Sequence, residues 1–141
     1  MTGPLSGVRV IDLTSVVSGP FATMFLADQG ADVLKIEPLG GDITRRSRQT
    51  IDKAGNFSAL FISTNRGKRS IALDIKQPKG AKILRKLIAR ADVLVQNFRP
   101  QVMERLGLGE PAMRALNPRL IDWAYAMTRD GMAYIYEPPL I

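Results

Sequence analysis

The sequence of 141 residues contains no cysteine and no histidine. The absence of cysteine excludes disulfides and thiolate metal sites, and the absence of histidine leaves acid–base or nucleophilic work to carboxylates, hydroxyls or lysines. No apolar run approaches the roughly 20 residues that span a bilayer. The opening stretch M-T-G-P-L-S-G has neither the basic start nor the apolar segment of a signal peptide. We therefore expect a cytoplasmic protein with no membrane partner and no bound metal.

Positive charge is in excess, with 20 Lys and Arg residues against 13 Asp and Glu. This balance suits a polyanion such as nucleic acid, acidic lipid or a phosphorylated small molecule. Aromatic residues make up only 6% of the chain and lie mostly in apolar runs, which disfavours nucleic acid. The cations crowd at Arg66, Lys68 and Arg69, around one glycine. Such a run is usually a solvated turn, and the alternative is a phosphate site.

The hydrophobic pattern alternates between strand and helix along the chain. Strands are predicted at 8–13, 31–37, 69–75, 91–95 and 119–124, and helices at 20–27, from 77 onward, at 102–106 and at 111–116, with a long polar loop at 38–56. This alternation predicts an α/β fold that is Rossmann-like and doubly wound, with a mostly parallel sheet and flanking helices. The segment T-S-V-V-S-G-P after the first strand is not G-x-G-x-x-G, so NAD is not expected to bind in the usual way.

Three polar clusters follow predicted strands, where ligands bind in sheets of this type. The loop 14–20 could cradle a phosphate or pantetheine with backbone N–H groups, or Ser18 could simply cap the next helix. Glu37 could contact a ribose or be solvated. Asn97, with the phenylalanine and arginine after it, could hold a nucleoside, or Asn97 could cap a helix. The spacing of these residues leaves each alternative open.

Five sequence blocks occur in order between residues 5 and 121: LSGVRVIDLT, GPFATMFLADQGADVLKIEPLGGD, NRGKRSIALDIK, ADVLVQNFRPQVMERLGL and NPRLI. Together they resemble the family III CoA-transferases, a group that includes formyl-CoA and carnitine-CoA transferases and α-methylacyl-CoA racemase. The resemblance implies a CoA-binding Rossmann-like domain over residues 1–121 and a divergent C-terminal tail over 122–141. It also implies a homo-oligomer, since this family forms interlocked dimers.

The resemblance further implies coenzyme A and acyl-CoA thioesters as substrates, with no nucleic-acid partner. Carried over by position, the residues that would contact CoA are Val16, Ser18, Lys68, Arg69, Asn97, Phe98 and Arg105. The first two would lie by the pantetheine and pyrophosphate, the two cations by the phosphates or adenine, and the last three around the nucleotide. Ser15 and Val17 stand where some members carry a polar pair that helps catalysis, and Pro38 stands where some carry arginine. These departures speak against formyl-CoA chemistry.

The nucleophilic aspartate of the family lies beyond a glycine-rich segment that follows N-P-R-L-I. Here the chain departs from that pattern at Asp122, and neither Asp122 nor Asp130 stands in the nucleophile's context. We therefore expect no catalytic residue in this chain, as an N-terminal portion or shortened relative that binds CoA without turnover. The intact family transfers CoA between carboxylic acids or exchanges the α-proton of an acyl-CoA. The alternatives are a non-catalytic CoA-binding or assembly module and, third, a nucleic-acid binder.

Overall fold

The computed structural model describes residues 2–47, 51–55, 57–127 and 133–135. In these residues the strands form one sheet in the order β3-β2-β1-β4-β5-β6. The strands are β1 Arg9–Asp12, β2 Asp32–Glu37, β3 Arg69–Ala72, β4 Val93–Gln96, β5 Ile121–Met127 and β6 Ala133–Ile135. The first five are parallel and β6 runs antiparallel to β5. The predicted fold class is confirmed.

Helices cover both faces of this sheet. They are α1 Ser18–Asp28, α2 Ala59–Asn65, α3 Pro78–Ile88, α4 Val102–Arg105 and α5 Glu110–Leu116, with a 3-10 turn at Ile43–Arg46. Helix α3 begins with proline, whose missing N–H costs nothing in the first turn. Helices α1 and α2 lie on one face, and α3, α4 and α5 lie on the other. Among the described residues, no helix is both long and apolar enough to cross a membrane.

The two faces of the sheet differ in composition, because alternate residues of each strand point to opposite sides. We call the side under α3 to α5 the apolar face. Its buried cluster includes Ile11, Leu13, Ile36, Leu73, Leu84, Ile88, Leu94, Met103, Leu108, Met113 and Leu120. We call the side under α1 and α2 the ionic face. It begins with Val10 and Val33 and continues toward the carboxyl ends of the strands with Asp12, Lys35 and Glu37, all buried.

The structure differs from the sequence-based prediction at several boundaries. The segment 38–56 contains the 3-10 turn, and helix α2, which was not predicted, follows it. Ser58 starts α2, because its Oγ accepts a hydrogen bond of 3.0 Å from the amide of Phe61. Strand β3 stops at Ala72, where its pairing with β2 ends. Strand β5 runs through the predicted domain boundary after residue 121, so that division stays a prediction.

Candidate functional site

A cavity of about 430 Å³ opens at the carboxyl ends of β1, β2, β3 and β4. It lies at the switch point of the sheet, since the crossover after β1 uses α1 on one face and the crossover after β4 uses α4 and α5 on the other. Its lining consists of Leu13, Thr14, Ser15, Ile36, Glu37, Pro38, Leu39, Asp42, Leu73, Asp74, Ile75, Lys76 and Phe98. The size suits part of a small-molecule ligand, for which sites of about 300–1,000 Å³ are usual.

The first wall of the cavity is the loop after β1, which is fastened to the loop after β4. The amide of Ser15 donates to Asn97 Oδ1 at 3.0 Å, and Asn97 Nδ2 donates to the Ser15 carbonyl at 2.9 Å. Both ends of the Asn97 amide therefore hold the two loops together. Phe98 follows directly and lines the cavity. Residues 82 apart in sequence thus form one wall.

Backbone geometry in this loop is unusual. Val16 has φ = 73°, a left-handed conformation that is strained for a β-branched residue and is concentrated at functional sites. Helix α1 begins two residues later with no side-chain cap at Val17. A Cβ at Gly19 would come within 2.4 Å of the Thr14 side chain, so glycine is required for the helix to approach the loop this closely. Val16 and Ser18 are therefore beside the cavity wall, on an exposed loop and helix start.

The second wall is the segment after β2, which is fixed by Glu37. The Arg45 guanidinium donates to both Glu37 oxygens at 2.6 and 2.7 Å and stacks over the Phe61 ring at 3.9 Å. The amide of Asp42 also donates to Glu37 at 2.8 Å. Burial would raise the pKa of Glu37, but hydrogen bonds from Arg45 and Ser70 outweigh it and lower the pKa to about 2. Glu37 is thus an ionised carboxylate whose oxygens accept hydrogen bonds from within the wall.

The cations predicted from the sequence lie away from the cavity lining. Lys68 is buried below the loops, and its ammonium donates to Asp12, to the Pro20 carbonyl and to Asn65 at 2.8–2.9 Å. Burial lowers the pKa of Lys68 to about 8, against the attraction of Asp12. The exposed Arg69 donates to the carboxylate of Asp32 through Nε and Nη2. Asp32 is the first residue of β2, so this pair lies at the amino end of the sheet.

Arg105 is also outside the cavity lining, where its Nε donates to the Gln101 carbonyl at 3.1 Å on an exposed surface. The structure therefore brings Asn97 and Phe98 together with the loop of Val16 and Ser18. It does not bring the three predicted cations to the cavity.

Lys76 was missed as a site residue by sequence reasoning. It is the one cation among the residues that line the cavity. Its side chain is exposed, and in the described part of the chain its ammonium has no ion-pair or hydrogen-bond partner. The signal was present in L-D-I-K at residues 73–76, because a charged residue just past the carboxyl end of a parallel strand faces the ligand edge.

Comparison of the sequence with known proteins identifies the family of this chain. Residues 5–126 match CoA-transferase family III. The chain belongs to that family. It is 46% identical over 123 residues to a succinate–glutarate CoA-transferase of Agrobacterium fabrum, covering 84% of this chain and 31% of the relative. It is 50% identical over 122 residues to a formyl-CoA:oxalate CoA-transferase of Rhodopseudomonas palustris, covering 86% of this chain and 28% of the relative.

A solved structure gives the same result. The CAIB/BAIF family protein from Brucella suis superposes with a TM-score of 0.83 at 38% identity, covering 88% of this chain and 33% of that one. The chain thus spans about a third or less of the length of these relatives. The residues 5–126 that match the family include every residue that lines the cavity.

Proposed function

We propose that this domain binds the CoA thioester in a family III CoA-transferase or acyl-CoA racemase. The observation that supports the proposal is the cavity at the switch point of the sheet, with its apolar floor, one aromatic ring and one cation, Lys76, whose ammonium has no partner among the described residues. The intact protein would transfer CoA between carboxylic acids or exchange the α-proton of an acyl-CoA. Departures at Ser15, Val17 and Pro38 from the pattern of some relatives speak against formyl-CoA as the substrate.

Each part of the cavity suits a part of CoA. The ring of Phe98 offers a face for adenine, and Leu13, Ile36 and Leu73 offer apolar surface to pantetheine. The ammonium of Lys76 is free to pair with a phosphate, and the uncapped start of α1 presents further N–H groups beside the same wall. In this proposal Asn97 contributes by holding the wall together. Contacts of Lys68 and Arg69 with the phosphates or adenine, and of Arg105 with the nucleotide, stay predictions.

Isothermal titration calorimetry with CoA and dephospho-CoA tests this assignment. A cation–phosphate hydrogen bond contributes about 1.5–3 kcal/mol, so Lys76→Ala should weaken CoA binding more than tenfold. Lys79→Ala, which removes the same charge from the exposed side of α3, is the matched control and should bind as the wild type does. If Arg69→Ala or Lys68→Met weakens CoA more than dephospho-CoA while Lys76→Ala does not, the sequence-based assignment is right and the Lys76 assignment is wrong.

We further propose that the chain binds CoA without turnover, as a cytoplasmic homo-oligomer. Ser15 has no base among its hydrogen-bond partners, and Asp122 lies at the amino end of β5, away from the cavity. Asp130 lies outside the described residues. Hydroxylamine trapping after incubation with acyl-CoA should therefore find no acyl-enzyme. An adduct at either aspartate would contradict inactivity, and a monomer in light scattering would contradict oligomerisation.

A further inference from the structure

One buried lysine contacts both walls of the cavity. Lys35 lies in the middle of β2 on the ionic face, and its side chain is 1% exposed. Its ammonium donates to the carbonyl of Thr14 at 2.7 Å and forms an ion pair with the equally buried Asp42 Oδ2 at 3.1 Å. This oxygen accepts no hydrogen bond from the described residues, so the contact with Lys35 is purely electrostatic. Thr14 belongs to the wall after β1 and Asp42 to the wall after β2. The two walls are therefore joined through a single charged group.

Each wall has a second anchor, but the second anchors do not join the walls to each other. Asp12 accepts hydrogen bonds from the amide and hydroxyl of Thr14, and Glu37 accepts from the amide of Asp42. Across the described residues, no other hydrogen bond or ion pair runs directly between the loop 13–17 and the segment 38–47. Beyond the pairing of β1 with β2, from which the two walls continue, Lys35 is thus the side chain that bonds to both walls.

Stability alone does not explain a lysine at this position. Replacing a buried ion pair by apolar side chains of similar size is often neutral or stabilising. The same face of the same strand already accommodates Val33 two residues earlier, buried beside Val10. What distinguishes the position of Lys35 is that both of its partners, Thr14 and Asp42, line the cavity. A buried group with two fixed partners in different loops is a means of setting their spacing.

We propose that Lys35 is a positioning residue for CoA, which fixes the separation of the two cavity walls through Thr14 and Asp42. The inference rests on the proposed function, since it assumes that the cavity is the CoA site. It assigns no contact between Lys35 and the ligand. In physical terms, we expect the loop 13–17 and the segment 38–47 to move as one unit when Lys35 is present and separately when it is absent.

The test compares Lys35→Met, which removes the ammonium but keeps an unbranched side chain of nearly the same length, with Val33→Ala on the same face of β2. CoA affinity is measured by calorimetry, and backbone hydrogen exchange is measured in the CoA-free proteins. We expect Lys35→Met to weaken CoA at least tenfold and to speed exchange in 13–17 and 38–47. Val33→Ala should lower the stability of the fold but keep the wild-type affinity and the wild-type exchange in both segments.

The double variant Lys35→Met/Asp42→Asn separates positioning from stability. Lys35→Met alone leaves the Asp42 charge buried without its partner, and the second substitution removes that charge. We expect the double variant to regain most of the unfolding free energy while CoA binding stays at least tenfold weaker, because the contact with Thr14 is still missing. It also provides the comparison if Lys35→Met does not fold.

Recovery of affinity together with stability would overturn the inference, as would wild-type affinity and exchange in folded Lys35→Met. If the wild-type protein itself binds no CoA, the proposed function fails. Hydrogen exchange in the two segments then decides by itself whether Lys35 couples the walls.

Discussion

The two faces of the sheet are buried by different means. On the apolar face, Leu84, Ile88 and Leu94 are completely buried against one another and against α4 and α5. On the ionic face, three cations and three carboxylates lie in or below the loops that form the cavity: Lys35, Arg45, Lys68, Asp12, Glu37 and Asp42. These charges balance, and every one of them has a partner of opposite sign within 3.1 Å.

The difference shows what each face contributes. Burial of apolar surface stabilises by about 25 cal/mol per Å², without requiring one arrangement of the side chains. Buried ion pairs give little net stability, because desolvation offsets their attraction, but they fix directions and distances. On the ionic face, Asp12 and Glu37 hold the loops that form the cavity walls through Thr14 and Asp42. The apolar face contributes Leu13, Ile36 and Leu73 to the cavity floor. The apolar face thus supplies most of the stability and the floor of the cavity, and the ionic face fixes the loops that form its walls.

The largest expected effect comes from Lys68→Met. This change leaves Asp12, which is 0% exposed, without the ammonium 2.9 Å away, and the unfolding free energy should fall by about 3–5 kcal/mol. Urea denaturation followed by circular dichroism measures the loss. Adding Asp12→Asn should restore most of it, because the unpaired charge is removed. A loss below about 1 kcal/mol in the single variant would show that Asp12 does not depend on Lys68.

On the apolar face, Leu84→Ala should lower the unfolding free energy by about 2–5 kcal/mol through lost contacts and a residual cavity. Leu84 is 0% exposed. The control is Leu84→Met, which keeps the volume and should lose less than about 1.5 kcal/mol in the same urea titration. Equal losses in both variants would mean that shape, rather than buried volume, determines the stability of this face.

Glu37→Gln tests the ionic face through its pH dependence. The folded pKa of about 2 lies below the ordinary 4.5, so this carboxylate contributes about 3 kcal/mol that is fully present above pH 4.5 and is lost as the pH falls toward 2. The variant should lose stability at pH 7 and show a shallower fall between pH 4.5 and 2. Denaturant titrations across that range measure both. An unchanged acid slope would assign the loss to other carboxylates.

The smallest expected effect is at Asp122, a partly buried residue of β5. It lies opposite Leu94 in the pairing of β5 with β4. Burial raises its pKa to about 6 from 3.8, and among the described residues its Oδ1 has no hydrogen-bond partner. The folded state therefore binds more protons between pH 4 and 6, and stability falls as the pH rises through that window. Asp122→Asn should remove this slope and stabilise the protein at pH 7 by about 1–2 kcal/mol.

Thermal unfolding at pH 4 and pH 7 checks the Asp122 prediction, with Asp92→Asn as the control. Asp92 is an exposed aspartate before β4 that interacts with Arg9. A variant that is less stable than the wild type at pH 7 would show that the Asp122 charge has a favourable partner.

Sequence patterns predicted the parallel strands and helix α3 well, because each is a continuous run with the period of its own structure. Helix α2 was missed although it is as long as α5, because it lacks the first-turn proline of α5 and its start depends on one hydrogen bond from the Phe61 amide to Ser58 Oγ. In the site, Asn97 and Phe98 were predicted as possible nucleoside contacts because they directly follow a strand, and the structure places both at the cavity wall. Lys76 follows a strand too, but it was not predicted because it is a single cation close to the denser cluster of cations at 66–69.

By itself, the sequence determined the α/β alternation, the family and the loops that form the cavity, because hydrophobic period and the ends of strands are local properties of the chain. Only the tertiary structure decided what the charged side chains do. Lys68 reaches Asp12 across 56 residues of sequence, and Lys35 reaches Thr14 across 21. Such pairings depend on which strands are neighbours and which face each residue takes. A lysine in a basic run therefore became a buried partner of Asp12, while Lys76, outside that run, lines the cavity.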